Sequence, residues 1–197
     1  MRTRRSITRI AVAFATVATV STLPAAAQDA AAPTSGLRAE LIDDIGTLEE
    51  KYLGLADAMT GKYDWRPGEG VRSVGEVFMH VAGANMFFPS MVGVELPADL
   101  RDLEGEQVFA RLQAMEGETD EATIKQTMRE AFAYAKDAVA AVPDAELDAA
   151  TNLFGQDATY RAVLTMLVTH MHEHLGQSIA YARTNGVVPP WSAGEGG

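Results

Sequence analysis

The 197-residue chain has no cysteine. That absence removes disulfide frameworks, thiolate metal sites, iron–sulfur clusters and cysteine nucleophiles from the chemistry open to it. Positive charge is also scarce. Four of the 16 basic residues (Arg2, Arg4, Arg5 and Arg9) lie in the first 27 positions, which contain no acid. The remaining chain therefore sets 12 basic against 27 acidic residues, a surface that repels phosphate backbones and anionic lipid faces. No nucleic acid and no membrane is expected among its partners. Strand-like alternation, internal repeats and a Gly-rich phosphate loop are missing as well. So is an apolar run of the roughly 20 residues a membrane span needs.

The arginine-rich start leads into an apolar stretch at 10–22, interrupted by Thr16, Thr19, Ser21 and Thr22. Pro24 and the small residues Ala25, Ala26 and Ala27 follow, then polar Gln28 and Asp29. Basic, apolar and small segments in that order form a secretory signal pattern. Residues 1–27 are expected to be a signal peptide and 28–35 a flexible leader. The mature protein is then exported, to the periplasm or beyond the cell.

The rest reads as four amphipathic helices. From Leu37 to Met59, the residues Leu41, Ile45, Leu48, Tyr52, Leu55 and Met59 recur at intervals of four and three, one apolar stripe of helical period. A second helix opens at Ser73, with Glu76 three residues on completing a capping box. Val74, Val77, Phe78, Val81 and Phe88 form its buried face. A third runs over 121–142, with Ile124, Met128, Ala131, Ala135, Ala138 and Val142 inward and Pro143 as its stop. The fourth spans 160–184 and ends before Gly186, Pro189 and Pro190. Residues 91–118 are read mainly as a long connection, with a short helix over 103–115. The expected architecture is all-α, a four-helix bundle with one long crossover connection.

Three of only four histidines crowd into positions 170–174. On the fourth helix the inward stripe is Tyr160, Val163, Leu167, His170, His174, Ser178 and Tyr181. Residues four apart stand one above the other, so His170 and His174 can reach one point. His172 falls on the outer face. His80 lies mid-way along the second helix on the side of Val77 and Val81, next to Gly83 and Ala84, which leave space. Two readings compete, a metal site and separate core histidines satisfied by hydrogen bonds. The run from His170 through Glu173 to His174 also spells an inverted zinc-protease motif. Only 23 residues follow, with Glu195 near the terminus, which leaves no room for that scaffold.

Trp65, Arg66 and Pro67, followed by the segment from Val71 through His80 to Ala82, resemble the second-helix signature of the DinB-like metalloenzyme superfamily. His170, Glu173, His174, Gly176 and Gln177, then Tyr181, Arg183, Gly186, Pro189 and Pro190, resemble its fourth-helix signature. The similarity covers residues 36–191, leaving 192–197 as an expected disordered tail. It implies a four-helix bundle that binds one divalent ion of zinc, nickel or manganese type through His80, His170 and His174. It also implies frequent homodimers, and low-molecular-weight thiols as substrates of some relatives. The expected function is a metal-dependent hydrolase or thiol transferase acting on a small molecule. The alternative is a non-catalytic metal or small-ligand binder, a sensor or store. Gln177 is a candidate for orienting a ligand or substrate, and equally for an exposed or packing amide. Glu173 reads as a surface acid, Glu76 as a cap rather than a base, and Trp65 and Tyr181 as packing.

If the leader is removed where the small residues end, N-terminal sequencing of the exported protein should begin at Gln28. A product that still starts at Met1 would contradict the export reading.

Overall fold

The computed structural model describes residues 33–194; the expected signal peptide, most of the leader and the last three residues lie outside them. The described residues form five α-helices and one small hairpin, joined by short 3₁₀ turns and loops. They are α1 (Gly36–Ala58), α2 (Val74–Phe87), α3 (Glu106–Met115), α4 (Glu121–Ala141), β1 (Ala150–Leu153), β2 (Gln156–Thr159) and α5 (Tyr160–Thr184). Helices α1, α2, α4 and α5 form the bundle. Both α1 and α2 pack against α4 and α5. The apolar stripes meet as their period requires: Ile45, Leu48 and Leu55 of α1 and Ile124, Met128 and Ala131 of α4 are fully buried. Tyr52 stands at the centre, edge-on to Phe78 and tilted against Phe132. Its hydroxyl donates to the Met171 carbonyl at 2.7 Å, which satisfies the polar end of an otherwise apolar side chain.

Local chemistry sets the helix boundaries. Ser73 accepts from the Glu76 amide while the Glu76 carboxylate accepts from the Ser73 amide at 2.6 Å, so the capping box is complete. Asp120 caps α4 and Thr159 caps α5 by accepting from the Thr123 and Ala162 amides, without the reciprocal carboxylate. Helix α4 ends at Ala141 because Val142, which precedes Pro143, is forced into extended backbone. At the start of α2 a close approach fixes Gly75: an added Cβ would sit 3.2 Å from Ile124 Cδ1 and 3.3 Å from the Tyr63 carbonyl.

The crossover carries the short helix expected over 103–115, and a segment further along departs from the sequence reading. The connection at 88–120 begins as a 3₁₀ turn at Phe88–Val92 and contains α3, which lies against α2. That cover explains why α2 is buried on more than one face, Met79 and Met86 as well as Val77, Phe78 and Val81. The segment before α5 holds an antiparallel hairpin where no strand was expected. Its four-residue strands are too short for an alternating pattern to register. The two loop residues, Phe154 and Gly155, both have positive φ (52° and 87°), as the favoured two-residue hairpin turn demands. A side chain in that region costs about 1 kcal/mol. The Asn152 side chain helps hold the turn, accepting from the Gly155 amide at 2.7 Å. At the other end, Pro190–Ser192 forms a 3₁₀ turn whose Pro190 ring comes against Gly54, so ordered chain reaches into the expected tail.

Among the described residues, no helix is long and apolar enough to cross a membrane. The capping box is the local device that starts α2. Ser73→Ala should therefore cost about 1 kcal/mol and lower the melting temperature by about 3 °C, read by circular dichroism.

Candidate metal centre

Helices α2 and α5 cross so that His80 faces His170 and His174. The three side chains each offer a ring nitrogen within 4.8 Å of the others. His80 Nε2 and His170 Nε2 are 3.2 Å apart. All three rings are half-buried. On α5 the buried positions nearest them are Leu167, Val168, Met171 and Leu175, so the two histidines occupy the flank of the core stripe. That displacement puts their rings in the seam between α2 and α5, where the core gives way to a cavity.

The rear nitrogens of two rings are held. Glu116 Oε1 lies 2.8 Å from His80 Nδ1, and Gln177 Oε1 lies 2.7 Å from His174 Nδ1. Each oxygen accepts a proton from Nδ1, which leaves Nε2 as a lone-pair donor on the side facing the other imidazoles. Gln177 is fixed in turn: its amide donates to the Tyr181 hydroxyl at 2.9 Å, and that hydroxyl donates to the Arg72 carbonyl. His170 Nδ1 has no partner among the described residues. Its ring is placed by packing, edge-on to Phe88 and His174 and tilted against His80.

Glu116, in the stretch least readable from sequence, was not anticipated. It sits just beyond the C-terminal end of α3, where the helix dipole disfavours an acid. Arg72 offsets that by a two-point contact, Nε to Oε2 at 2.7 Å and Nη2 to Oε1 at 3.1 Å. Burial alone would raise the Glu116 pKa, but hydrogen bonds from Arg72 and His80 outweigh it and hold the carboxyl below its ordinary value. Burial also lowers His80, against the opposing pull of Glu116. His170 is pushed down to about 4 by burial and by the neighbouring His174, His80 and Arg72.

His172 is exposed and pairs with Asp44 at 2.9 Å, outside the cluster, as its helix position implies. Glu173 is exposed. Glu76 is committed to the capping box and to Arg66 at 3.0 Å. Tyr181 packs edge-on to Trp65 at 5.3 Å, with the added hydrogen-bonding role toward Gln177.

The donor set suits a divalent ion. The depressed His170 and His80 keep imidazoles neutral at pH 7, as ligation requires. The 3.2 Å separation is close to the roughly 3.3 Å between two nitrogens on a tetrahedral zinc. Beside His80 and His170 opens a cavity of about 230 Å³. Gly83, Ala84, Phe87 and Phe88 form one side, and α3 supplies Phe109, Leu112 and Gln113, with Glu116 just past its end. Phe154, at the hairpin tip, completes the wall. A larger hollow of about 470 Å³ lies between α2, α3 and α4, but no imidazole lines it.

The lowered histidines have a consequence for the metal-free protein. Below about pH 6.5 the unfolded chain takes up protons that His170 and His80 refuse while folded. Stability is thus complete above that pH and declines toward the folded value of about 4 for His170. The melting temperature of metal-free protein should fall between pH 6.5 and 5, and the fall should shrink in His170→Leu. Equal slopes for both proteins would refute this.

The comparisons with known proteins agree with this architecture. A search of curated proteins returns no match. Among solved structures, the fold is similar to the crystal structure of a DinB-like protein from Bacillus subtilis. The TM-score is 0.57 at 17% identity, covering 75% of this chain and 92% of that one. The family described as the DinB superfamily matches residues 45–178, a span that runs from α1 through all three clustered histidines. The chain therefore belongs to the DinB superfamily.

Proposed function

We propose that the protein is an exported metal-dependent hydrolase or thiol transferase, with one zinc, nickel or manganese ion held by His80, His170 and His174. The observation that carries this reading is the convergence of three imidazole nitrogens within 4.8 Å, two of the rings locked from behind by Glu116 and Gln177. Three neutral ligands beside an open cavity fit a reactive rather than a purely structural site. When bound, the ion supplies Lewis acidity that makes water or a thiol nucleophilic near neutral pH.

The protein's own groups do the positioning. Glu116 orients His80 and raises its donor strength, Arg72 keeps Glu116 ionised, and Gln177 fixes the His174 tautomer. The apolar walls limit water around a small reactant. One observation favours the non-catalytic alternative: Glu116, the carboxylate lining the cavity, is already engaged by Arg72 and His80, so it is not a free proton acceptor. Turnover of small thiols, esters or amides by the metal-loaded protein separates the two, since a binder gives saturation without product.

Elemental analysis of mature protein purified without a polyhistidine tag should find about one divalent ion per chain. His80→Ala, His170→Ala and His174→Ala should each lose it, while His172→Ala keeps it. Absence of stoichiometric metal from the unmodified protein would sink the proposal. Glu116→Gln should retain the fold but bind zinc about tenfold more weakly, measured by competition with a chromogenic chelator.

A further inference from the structure

The cavity beside the imidazoles has a chemical character of its own. Four phenylalanine rings surround it: Phe87, Phe88, Phe109 and Phe154. Phe87 lies 4.7 Å from Phe109 and stacks at 6.3 Å on Phe154, so helix, crossover and hairpin tip contribute to one aromatic wall. Phe109 and Phe154 remain 48% and 61% exposed at its mouth. Phe154 holds that place at a turn position of positive φ that glycine or asparagine would fill at less cost. The hairpin is tied down where it must be, Thr151 donating to the Met91 carbonyl at 2.6 Å.

The polar part of the lining is nearly neutral. Arg72 and Glu116 cancel each other in a two-point ion pair, and Gln113 is an uncharged amide. Apart from the ion proposed above, no unpaired cation among the described residues lines the cavity, and the chain as a whole carries net charge −11. An anionic group on the body of a ligand, away from that ion, thus meets an unfavourable field and no side-chain counter-charge. The volume of about 230 Å³ is below the usual range for drug-sized ligands and suits one ring with a short chain. His80 and His170 line the same space, so a ligand seated among the rings has its polar end at the imidazoles.

We infer that the ligand of this site is a small uncharged molecule with one aromatic or branched aliphatic body, seated among the four phenylalanines and presenting a thiol, hydroxyl or carbonyl to His80 and His170. The choice of head group rests on the metal reading above; the choice of body rests on the cavity alone. A peptide thiol with free carboxylates is disfavoured on charge and on size.

Fluorine NMR tests the two parts separately. In metal-free protein, 4-fluorotoluene, which has no ligating group, should bind saturably. Its affinity should fall at least fivefold in a Phe109→Ala, Phe154→Asn double variant. Both positions are exposed, and asparagine tolerates the left-handed backbone, so the variant should keep its helical circular dichroism. In zinc-loaded protein, 2-(4-fluorophenyl)ethanethiol should bind at least tenfold more tightly than 4-fluorotoluene, and glutathione should displace it only at more than tenfold higher concentration. No saturable binding of 4-fluorotoluene, or equal binding by the double variant, would overturn the inference. So would glutathione competing on equal terms, or light scattering showing that a second copy covers the aromatic mouth and leaves it only in the variant. If zinc fails to bind while 4-fluorotoluene behaves as expected, the metal proposal falls and the aromatic cavity stands.

Discussion

Two imidazole nitrogens 3.2 Å apart, one from α2 and one from α5, impose a condition that the surrounding structure answers. Their lone pairs repel unless a proton or a cation lies between them. Burial depresses protonation of both His80 and His170, so a shared positive charge from the solvent is unfavourable near neutrality. What remains is a neutral hydrogen bond or an ion, and the three-histidine group could hold one. Glu116 and Gln177 direct lone pairs inward from two rings. Arg72 links the start of α2 to the end of α3 through Glu116. The crossover is thus attached to the very ring that opposes His170.

Much of the bundle was legible because burial there follows a simple period. The stripes of α1 and α4 were read residue by residue, and Leu41, Ile45, Leu48 and Tyr52, like Ile124, Met128 and Ala131, are buried. The cap on α2 was visible because a Ser three residues before a Glu has a local reason to start a helix. His170 and His174 stood out because helical spacing puts their side chains side by side, and His172 separated from them by the same geometry. Glu116 was not legible. Its partners lie 36 and 44 residues away, and nothing in its neighbourhood distinguishes it from other acids of an acidic chain. The hairpin escaped for another reason: Phe154 and Gly155 form its turn without the Asn-Gly or Asp-Gly pair that marks such loops.

The division of labour within the fold follows from those facts. Regular, period-driven packing of α1 and α4 supplies a rigid half of the bundle, while α2 and α5 carry the histidines on their seam. The irregular parts, α3 and the hairpin, add the polar support and the aromatic walls. A segment that contributes little to the four-helix core is therefore the one that gives the centre its surroundings. This is why the fold class can be recognised from periodicity while the character of the site cannot.

Phe154 illustrates what such an arrangement means over evolutionary or engineered change. Its positive φ would be better served by glycine or asparagine, and its large ring is exposed to water. Selection for thermal robustness alone would erase it. A library screened only for heat tolerance should consequently drift at this position first, trading the outer wall of the cavity for a relaxed turn. Constancy of the aromatic ring there, across variants that still work, would mark position 154 as a place where selectivity and durability pull in opposite directions.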